Sequence, residues 1–338
     1  MTSIHINLGE HGYDITVGSG LLSEAERLFN LDRRIFIVTD SGVPKEYSER
    51  VASAAKNAKI YTVAEGEGSK SLPTLEKLLL SMMEFKMKRN DAVVAVGGGV
   101  VGDLAGFAAS VYMRGIDFYN IPTTLLAQVD SSIGGKTAVN LGNTKNIVGA
   151  FYQPKGVLID TDVLKTLPKR LYSAGLAESV KMALTSDKAL FEIFEQEEIN
   201  EKNIETIIKK SLMIKKDVVE KDEKESGLRK ILNFGHTLGH GIEADSGMAN
   251  LYHGECVALG MLAVSSEKVK ERLIPVLKKL GLPTEYNGSI ENALSFVSHD
   301  KKADGTGIDV VLVSEVGSFA IEKMTQEDFA HLVKTNFK

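Results

Sequence analysis

Several features are scarce in this chain of 338 residues, and each scarcity excludes a class of protein. The chain has one cysteine, Cys256, so no disulfide can form within it; this suits a reducing compartment, and we expect a cytoplasmic protein. No apolar run approaches the roughly 18 residues of a membrane-spanning helix, so no membrane association is expected. The first residues lack the basic start and apolar core of a signal peptide, so we expect them to form structure.

An excess of positive charge is also lacking. The formal net charge is −5 and no arginine-rich run is present, so a nucleic-acid partner is not expected. If the substrate is an anion, the cations that bind it must be gathered in one place. The composition, 43% hydrophobic and 25% charged, is otherwise that of an ordinary globular protein, and the length favours two domains.

The order of strand and helix patterns predicts those two domains. Strands and helices alternate over about the first 120 residues, which indicates a parallel α/β sheet with nucleotide-binding geometry. The predicted strands start with a hairpin and continue as short apolar runs, at 4–8, 13–17, 34–39, 60–63, 91–96, 116–121 and 157–160. From Pro168 to about Leu280 nearly every segment has helical periodicity. We therefore expect an α/β domain over 1–160 and a helical domain over 161–338.

A glycine-rich turn follows the predicted strand at 91–96. Gly97-x-Gly99-x-x-Gly102 matches the dinucleotide fingerprint, in which glycines let a pyrophosphate approach the backbone and the next helix N-terminus. The alternative is a tight turn that needs positive φ. Asp117 lies where a ribose-binding acid is expected but opens a strand, so Asp40, which ends one, is the better candidate. Asp103 either contacts the nicotinamide end or caps the helix.

Three of the seven histidines lie within eighteen positions, which indicates a metal site. His236 and His240 are four residues apart on one face of a predicted helix, and His253 follows. Three acidic residues add candidate ligands: Glu178, Glu243 and Glu255. A catalytic zinc takes three protein ligands, and spacing alone cannot choose them. Thr237 stands where a zinc protease of the His-Glu-x-x-His type has its general-base glutamate, so a protease is not favoured.

The charged and polar groups outside this cluster are harder to select. Glu178 and Lys181 lie three apart in a nearly all-apolar helix, so each needs a partner; a metal would serve the carboxylate and an anion the ammonium. Arg229 and Asn233 are four apart, as neighbours on a helix. Lys215 lies in a very charged helix and, on pattern alone, faces solvent.

Taken together, a series of motifs along nearly the whole chain resembles the 3-dehydroquinate synthases of the sugar-phosphate cyclase family. The motifs, in order, are Glu67-x-x-Lys70, Gly97-Gly-Gly-Val-x-Gly-Asp103, Arg114-Gly, Pro122-Thr-Thr, Asp130-Ser-Ser-x-Gly-Gly-Lys136, Lys145-Asn146, Glu178-x-x-Lys181, Asp222-Glu-x-Glu-x-Gly-x-Arg229, Asn233-Phe-Gly-His236-x-x-Gly-His240, His253-Gly-Glu255 and Asp300-Lys-Lys302. Their number and order make the resemblance specific.

The resemblance implies a Rossmann-like α/β domain and an all-helical domain, with the site in the cleft between them. It implies a metal, Zn2+ or Co2+, held by Glu178, His236 and His253, and it leaves His240 as a non-ligand that relays protons. The implied NAD contacts are Asp40, Glu67, Lys70, Gly97, Gly98, Gly99, Asp103, Thr123, Thr124, Asp130, Lys136, Lys145 and Asn146.

The implied substrate is 3-deoxy-D-arabino-heptulosonate 7-phosphate, which carries a carboxylate and a phosphate. The implied reaction oxidises a secondary alcohol with NAD, eliminates phosphate, reduces the ketone again and closes the ring in an aldol step, with no net redox change. Arg114 would come from the second subunit of a homodimer. The residues implied to hold the substrate are Lys136, Asn146, Lys181, Lys215, Arg229, Asn233, Arg114 and one of the pair Lys301 and Lys302.

Three other interpretations remain open at this point. A sibling cyclase would share the metal and NAD residues but not the carboxylate-binding set that Arg114, Arg229, Asn233 and Lys302 form here. A polyol dehydrogenase would keep the glycine turn, lack the lysines and accumulate NADH. A non-catalytic NAD or metal sensor would not need the complete set of metal, NAD and substrate residues.

Overall fold

A computed structural model describes residues 1–142, 144–246, 251–300 and 307–337, with 298–300 described in backbone only. The chain divides into two compact units, Met1–Leu167 and Pro168–Lys338. The sequence placed the division at residue 160. Within the described ranges, no helix combines the length and the apolar composition needed to cross a membrane.

The first unit contains a seven-stranded sheet of order β1-β2-β9-β6-β5-β3-β4. Its strands, and the separate hairpin of β7 and β8, are β1 Thr2–Ile6, β2 Tyr13–Gly18, β3 Arg34–Asp40, β4 Asn57–Val63, β5 Ala92–Gly97, β6 Asp117–Pro122, β7 Lys136–Leu141, β8 Thr144–Phe151 and β9 Gly156–Asp160. The helices are α1 Ala25–Leu28, α2 Lys45–Ala54, α3 Leu72–Glu84 and α4 Gly99–Val111. The predicted N-terminal hairpin is confirmed: β1 and β2 pair antiparallel, and the other sheet pairs are parallel.

The sheet is buried on both faces, as its continuous apolar strands require. Every residue of β5 is buried, and separate apolar clusters fill the space under the helices on the two sides. From β3 the chain adds β4 on one side and then crosses to add β5 on the other side. The strand order therefore reverses between β3 and β5, and ligands of open α/β sheets bind outside the carboxyl ends of the strands at such a point.

The second unit is helical, as predicted. Its helices are α5 Lys169–Ser186, α6 Lys188–Gln196, α7 Ile204–Lys221, α8 His236–Ser246, α9 His253–Ala263, α10 Glu267–Lys279, α11 Ile290–Asp300 and α12 Gln326–Asn336. It also contains a small antiparallel hairpin, β10 Ile308–Leu312 with β11 Ala320–Met324, that sequence patterns did not predict. All but the last residue of β11 are exposed, so the strand lacks the apolar alternation by which a half-buried strand is recognised.

Candidate active site

The glycine turn lies at the reversal point of the sheet, where β5 ends and α4 begins. A Cβ on Gly97 would lie 2.6 Å from the Val101 side chain, and a Cβ on Gly98 would lie 3.0 Å from that of Thr124. None of Gly97, Gly98 and Gly99 has positive φ. The tight-turn interpretation based on positive φ was therefore wrong, and close packing explains the glycines. The adjoining N-terminus of α4 carries the partial positive charge that attracts a pyrophosphate.

Asp40 ends β3 across the reversal point, as the sequence predicted. Its carboxylate accepts hydrogen bonds from the backbone N–H groups of Gly42 (2.8 Å) and Val43 (3.2 Å). Burial nevertheless raises the pKa of Asp40, and the nearby carboxylate of Glu65 acts in the same direction. Asp117 instead opens β6 and pairs with Arg33 at 2.6 Å. Of the two candidate acids, Asp40 is thus the one at the carboxyl ends of the parallel strands.

A buried lysine, Lys70, contacts two other predicted site residues. The ammonium of Lys70 contacts the carboxylate of Asp103 and the side-chain oxygen of Asn146. Asp103 lies inside α4, which begins at Gly99, so the helix-cap interpretation of Asp103 was wrong. Glu67 lies beside this group in sequence and accepts a hydrogen bond from Asn140 at 2.8 Å.

Most of the other predicted residues of the first unit follow β6 or lie on the separate hairpin, whereas Arg114 lies between α4 and the start of β6. Thr123 follows β6 and donates its backbone N–H to Gly97 (2.9 Å), while the Thr124 hydroxyl accepts from Ala127 (3.3 Å). The remaining positions are Asp130 in a π-helical turn over Ala127–Ser131, Lys136 at the start of β7, Lys145 on β8, and Arg114, exposed in a 3-10 turn with φ of 70°.

The metal-ligand candidates come together in the second unit, from the middle of one helix and the first residues of two others. Glu178 lies on α5, His236 opens α8 and His253 opens α9. The Nε2 atoms of His236 and His253 lie 3.6 and 3.5 Å from Oε1 of Glu178. His240 is one turn further along α8, its ring centre 5.4 Å from that of His236. The group Glu178, His236 and His253 has the geometry to hold one ion, and so does the group His240, Glu243 and His253.

Close helix packing and one ion pair set the position of His253. A Cβ on Gly254 would lie 1.9 Å from the carbonyl oxygen of Ala174, so α9 can cross α5 this closely only with glycine there. Arg170, near the start of α5, forms a two-pronged pair with the carboxylate of Glu255 at 2.7 and 2.8 Å. Glu255 also accepts the backbone N–H of Tyr252 at 2.8 Å, which caps α9.

Burial and neighbouring charges shift the acid–base properties of the cluster. Burial works against the ionised carboxylate of Glu178, yet Lys181, His236 and His253 hold its pKa well below the usual range. Burial, together with the charge of Lys181, lowers the pKa of His236 to about 3. Burial works against protonated His253 as well, but the carboxylates of Glu178 and Glu243 on either side of its ring raise its pKa to about 9. The carboxylate of Glu178 is thus ionised and His236 is neutral at neutral pH, whereas His253 keeps its proton.

A divalent cation fits this arrangement. Both carboxylate oxygens of Glu178 are buried, and neither accepts a hydrogen bond of good geometry from any residue that the structure describes. The Lys181 ammonium lies 2.5 Å from Oε2, whereas Oε1 faces the Nε2 atoms of His236 and His253. Buried polar atoms are normally satisfied, so this pair of oxygens indicates a ligand. Two imidazoles and a carboxylate form an ordinary three-residue site for catalytic zinc.

Three of the predicted substrate cations are buried: Lys181, Lys215 and Arg229. The solvent-facing interpretation of Lys215 was wrong, because α7 turns this lysine toward the interior although charged residues flank it. Arg229 and Asn233 lie on a separate 3-10 helix, Leu228–Asn233, and α8 begins only after Gly235 with φ of 77°. They are therefore not neighbours on the helix of His236. Lys301 and Lys302 lie outside the described residues.

A carboxylate that was not among the predicted site residues holds residues 226–229 in place, which are called the Arg229 segment below. Asp222 accepts hydrogen bonds from the backbone of Ser226 (2.8 Å), Gly227 (2.7 Å) and Arg229 (2.9 Å). These bonds outweigh burial and hold the pKa of Asp222 well below its usual range. Glu225, also not predicted, accepts from the side-chain amide of Asn233 at 2.9 Å. The run Asp222-Glu-x-Glu225 was the available sequence signal.

Solved structures show which class of enzyme has this fold. The chain superposes on 2-deoxy-scyllo-inosose synthase complexed with carbaglucose-6-phosphate, NAD+ and Co2+, with a TM-score of 0.87 and 27% identity over 99% of this chain and 100% of that one. It superposes on 2-epi-5-epi-valiolone synthase from Streptomyces hygroscopicus subsp. jinggangensis with NAD+ and Zn2+ bound, with a TM-score of 0.85 and 27% identity over 96% of each chain. A probable glycerol dehydrogenase from Sinorhizobium meliloti shares the fold alone, at 0.62 and 16% identity over 95% of each chain. The protein is thus an NAD- and metal-dependent enzyme.

Sequence comparison identifies the family within that class. Residues 60–174 match the family model for the N-terminal part of 3-dehydroquinate synthase, and 175–303 match that for its C-terminal part. The 3-dehydroquinate synthases of Streptococcus sanguinis and Lactococcus lactis subsp. cremoris are 44% and 41% identical over 98% of this chain and 99% of each relative. The chain belongs to the 3-dehydroquinate synthase family, which confirms the family expected from the motifs.

Proposed function

We propose that the protein converts 3-deoxy-D-arabino-heptulosonate 7-phosphate into 3-dehydroquinate and phosphate, the reaction after which its family is named. Relatives with that name align over nearly its whole length. The observation that carries the proposal is the convergence of Glu178, His236 and His253 in one unit with the buried cations Lys181, Lys215 and Arg229. A metal and a multiply charged anion are what such a set of residues would bind.

The proposal assigns NAD to the first unit, in line with the sequence division at residue 160. The reversal point of the sheet, the packed glycine turn and Asp40 support this assignment. Lys70, with its contacts to Asp103 and Asn146, would hold the adjoining loops in place. The proposed NAD residues are Asp40, Glu67, Lys70, Gly97, Gly98, Gly99, Asp103, Thr123, Thr124, Asp130, Lys136, Lys145 and Asn146.

The proposal assigns the metal to the second unit, on Glu178, His236 and His253. The buried carboxylate oxygens of Glu178 accept no hydrogen bond of good geometry from the described residues, which supports this set over the one that includes Glu243. When bound, NAD removes a hydride from a secondary alcohol and returns it later, while Zn2+ or Co2+ makes that alcohol acidic, as zinc lowers the pKa of bound water from 15.7 to about 7. His240 would accept the proton of that alcohol and return it later. Its ring lies beside His236 and His253, and the proposed metal set does not include it.

The substrate's two anionic groups would bind to the buried cations of the second unit. Lys181 and Arg229 already have partners within the chain, the carboxylate of Glu178 and the carbonyl oxygen of Glu223, and a multiply charged anion would add charge-assisted hydrogen bonds to these. Arg229 suits a carboxylate or phosphate because its planar group donates two parallel hydrogen bonds. The proposed substrate residues are Lys136, Asn146, Lys181, Lys215, Arg229, Asn233, Arg114 and Lys302.

A homodimer in which the partner supplies Arg114 is part of the proposal, as is a cytoplasmic location. Arg114 is exposed, and the first unit carries exposed apolar side chains on its neighbour Met113 and on the hairpin residues Leu141, Ile147 and Phe151. If Arg114 acts across the interface, mixing Arg114→Ala and Lys181→Met subunits creates one intact site per mixed dimer. Two inactive proteins would then regain about a quarter of wild-type activity. No recovery in dimers verified to exchange would exclude action in trans.

The decisive assay supplies Zn2+, a catalytic amount of NAD and the heptulosonate phosphate. Release of phosphate matched by 3-dehydroquinate, without lasting NADH absorbance, is the expected result. Stoichiometric NADH would identify a dehydrogenase instead. Turnover of a hexose phosphate without a carboxylate, in preference to the heptulosonate, would identify a sibling cyclase.

A further inference from the structure

Glu243 lies on the face of α8 that carries His236 and His240, one turn beyond His240. Its carboxylate oxygen Oε2 is 3.3 Å from Nδ1 of His253, the first residue of the neighbouring helix α9. Nε2 on the opposite side of the same ring is 3.5 Å from Oε1 of Glu178. The imidazole of His253 therefore spans two carboxylates, one at each nitrogen.

The two ring nitrogens of a histidine cannot both serve as metal donors to one ion. For Nε2 of His253 to bind an ion that Glu178 also holds, the remaining ring proton must be on Nδ1, where it needs an acceptor. Glu243 is that acceptor for His253. In His236 the same arrangement recurs, with Nδ1 at 3.1 Å from the carbonyl oxygen of Phe234 and Nε2 directed at Glu178.

We propose that Glu243 is a positioning residue for the metal centre, which fixes the tautomer and the orientation of His253 without binding the ion. As a carboxylate it also increases the electron-donor strength of the imidazole more than the neutral carbonyl at His236 can. The inference rests on the proposed metal set and extends it to the support of each histidine ligand.

Glu243 could instead be a ligand, because the oxygen lies close enough to His240 and His253 for a three-residue site. Two observations favour the supporting role. The orphaned oxygens belong to Glu178, and Glu243 already faces the Nδ1 of His253. Glu178 is also fully buried, whereas His240 is exposed.

The test measures metal affinity in the absence of substrate, so it does not depend on the proposed reaction. Metal-free wild type, Glu243→Gln and Glu243→Ala are titrated with Zn2+ against a competing chelator, and Co2+ absorption spectra report the number of ligands. Removing such a supporting group typically costs about 10- to 100-fold in metal affinity. We expect about 10-fold for Gln, which keeps an acceptor oxygen, about 100-fold for Ala, and an unchanged ligand number in both.

The matched control is Asp245→Asn, two residues along the same helix, whose carboxylate accepts from the Tyr286 hydroxyl at 2.5 Å and does not face the histidine cluster. It should retain wild-type metal affinity. Equal affinity of Glu243→Gln and wild type would leave only a packing role, and a Co2+ spectrum with one ligand fewer would make Glu243 a ligand; either result overturns the proposal. His253→Ala identifies failure of the metal set itself: if it keeps full affinity, the proposed ligands are wrong.

Discussion

The spacing of α5 and α9 at Gly254 provides a sharp prediction, because it fixes the distance between two proposed metal ligands. Gly254 follows His253 on α9, and Ala174 lies one turn before Glu178 on α5. A Cβ at position 254 would lie 1.9 Å from the Ala174 carbonyl oxygen, whereas Cβ atoms essentially never come within 3.0 Å of another atom in this way. In Gly254→Ala the helices must therefore separate locally by about 1.1 Å.

That displacement is large by comparison with the tolerance of a metal site. Ligand distances hold to about 0.2 Å, so a shift of this size between Glu178 and His253 removes one of them from the coordination shell. We expect Gly254→Ala to lower the affinity for Zn2+ by more than about 100-fold. Overpacking a core costs about 1–3 kcal/mol, which for a unit of this size lowers Tm by roughly 2–12 °C.

The assay is chelator competition with Zn2+, together with circular dichroism to establish that the helices remain. Gly68→Ala is the control for the added methyl group, since a Cβ at that position meets nothing within 4 Å. It should leave both metal affinity and Tm unchanged. A folded Gly254→Ala protein with wild-type metal affinity would refute the reasoning that α5–α9 spacing sets the site.

Three further outcomes follow from the same cluster and from the Arg229 segment. Protein in free Zn2+ at about 100 times its Kd should lose about 2.7 kcal/mol of stability when the metal is removed, seen in a thermal melt as a fall in Tm that added Zn2+ reverses; an unchanged melt would argue against a buried ion. His253→Ala should strip the metal, whereas His240→Ala should keep it and slow turnover; equal metal loss in both would show that the ligand set is wrong. Asp222→Asn should raise KM about tenfold at unchanged metal content, because an amide cannot accept all the N–H groups that hold Arg229; Asp187→Asn, which keeps its helix cap, should leave KM unchanged.

Much of the first unit could be predicted because its strands are read from local composition. The runs that became β3, β5 and β9 each contain an unbroken apolar stretch, at 35–38, 92–96 and 157–159, which is typical of a strand buried on both faces. The ribose candidate Asp40 followed from the position of the first parallel strand. The reversal of strand order beside β5 could not be read from the sequence, because it depends on which strands pair.

The second unit shows where local pattern misleads. The charged surroundings of Lys215 favoured solvent exposure, yet its helix turns that one position inward. The spacing of Arg229 and Asn233 indicated neighbours on a helix, but they lie on a 3-10 helix in which the backbone of Arg229 donates to Asp222, and Gly235 separates it from α8. In each case the local structure is decided by contacts between residues that are not close neighbours in the sequence, and a pattern over a few residues cannot show these.

The sequence by itself determined that a metal site exists, because three histidines cluster in a chain that has few, and its motifs determined the family. Only the tertiary structure decided how the donors converge. Glu178 lies far from the histidines in the chain, and it reaches them because α9 packs on α5 through Gly254. A coordination shell is set by distances of a few ångströms between different helices, and those distances are properties of packing.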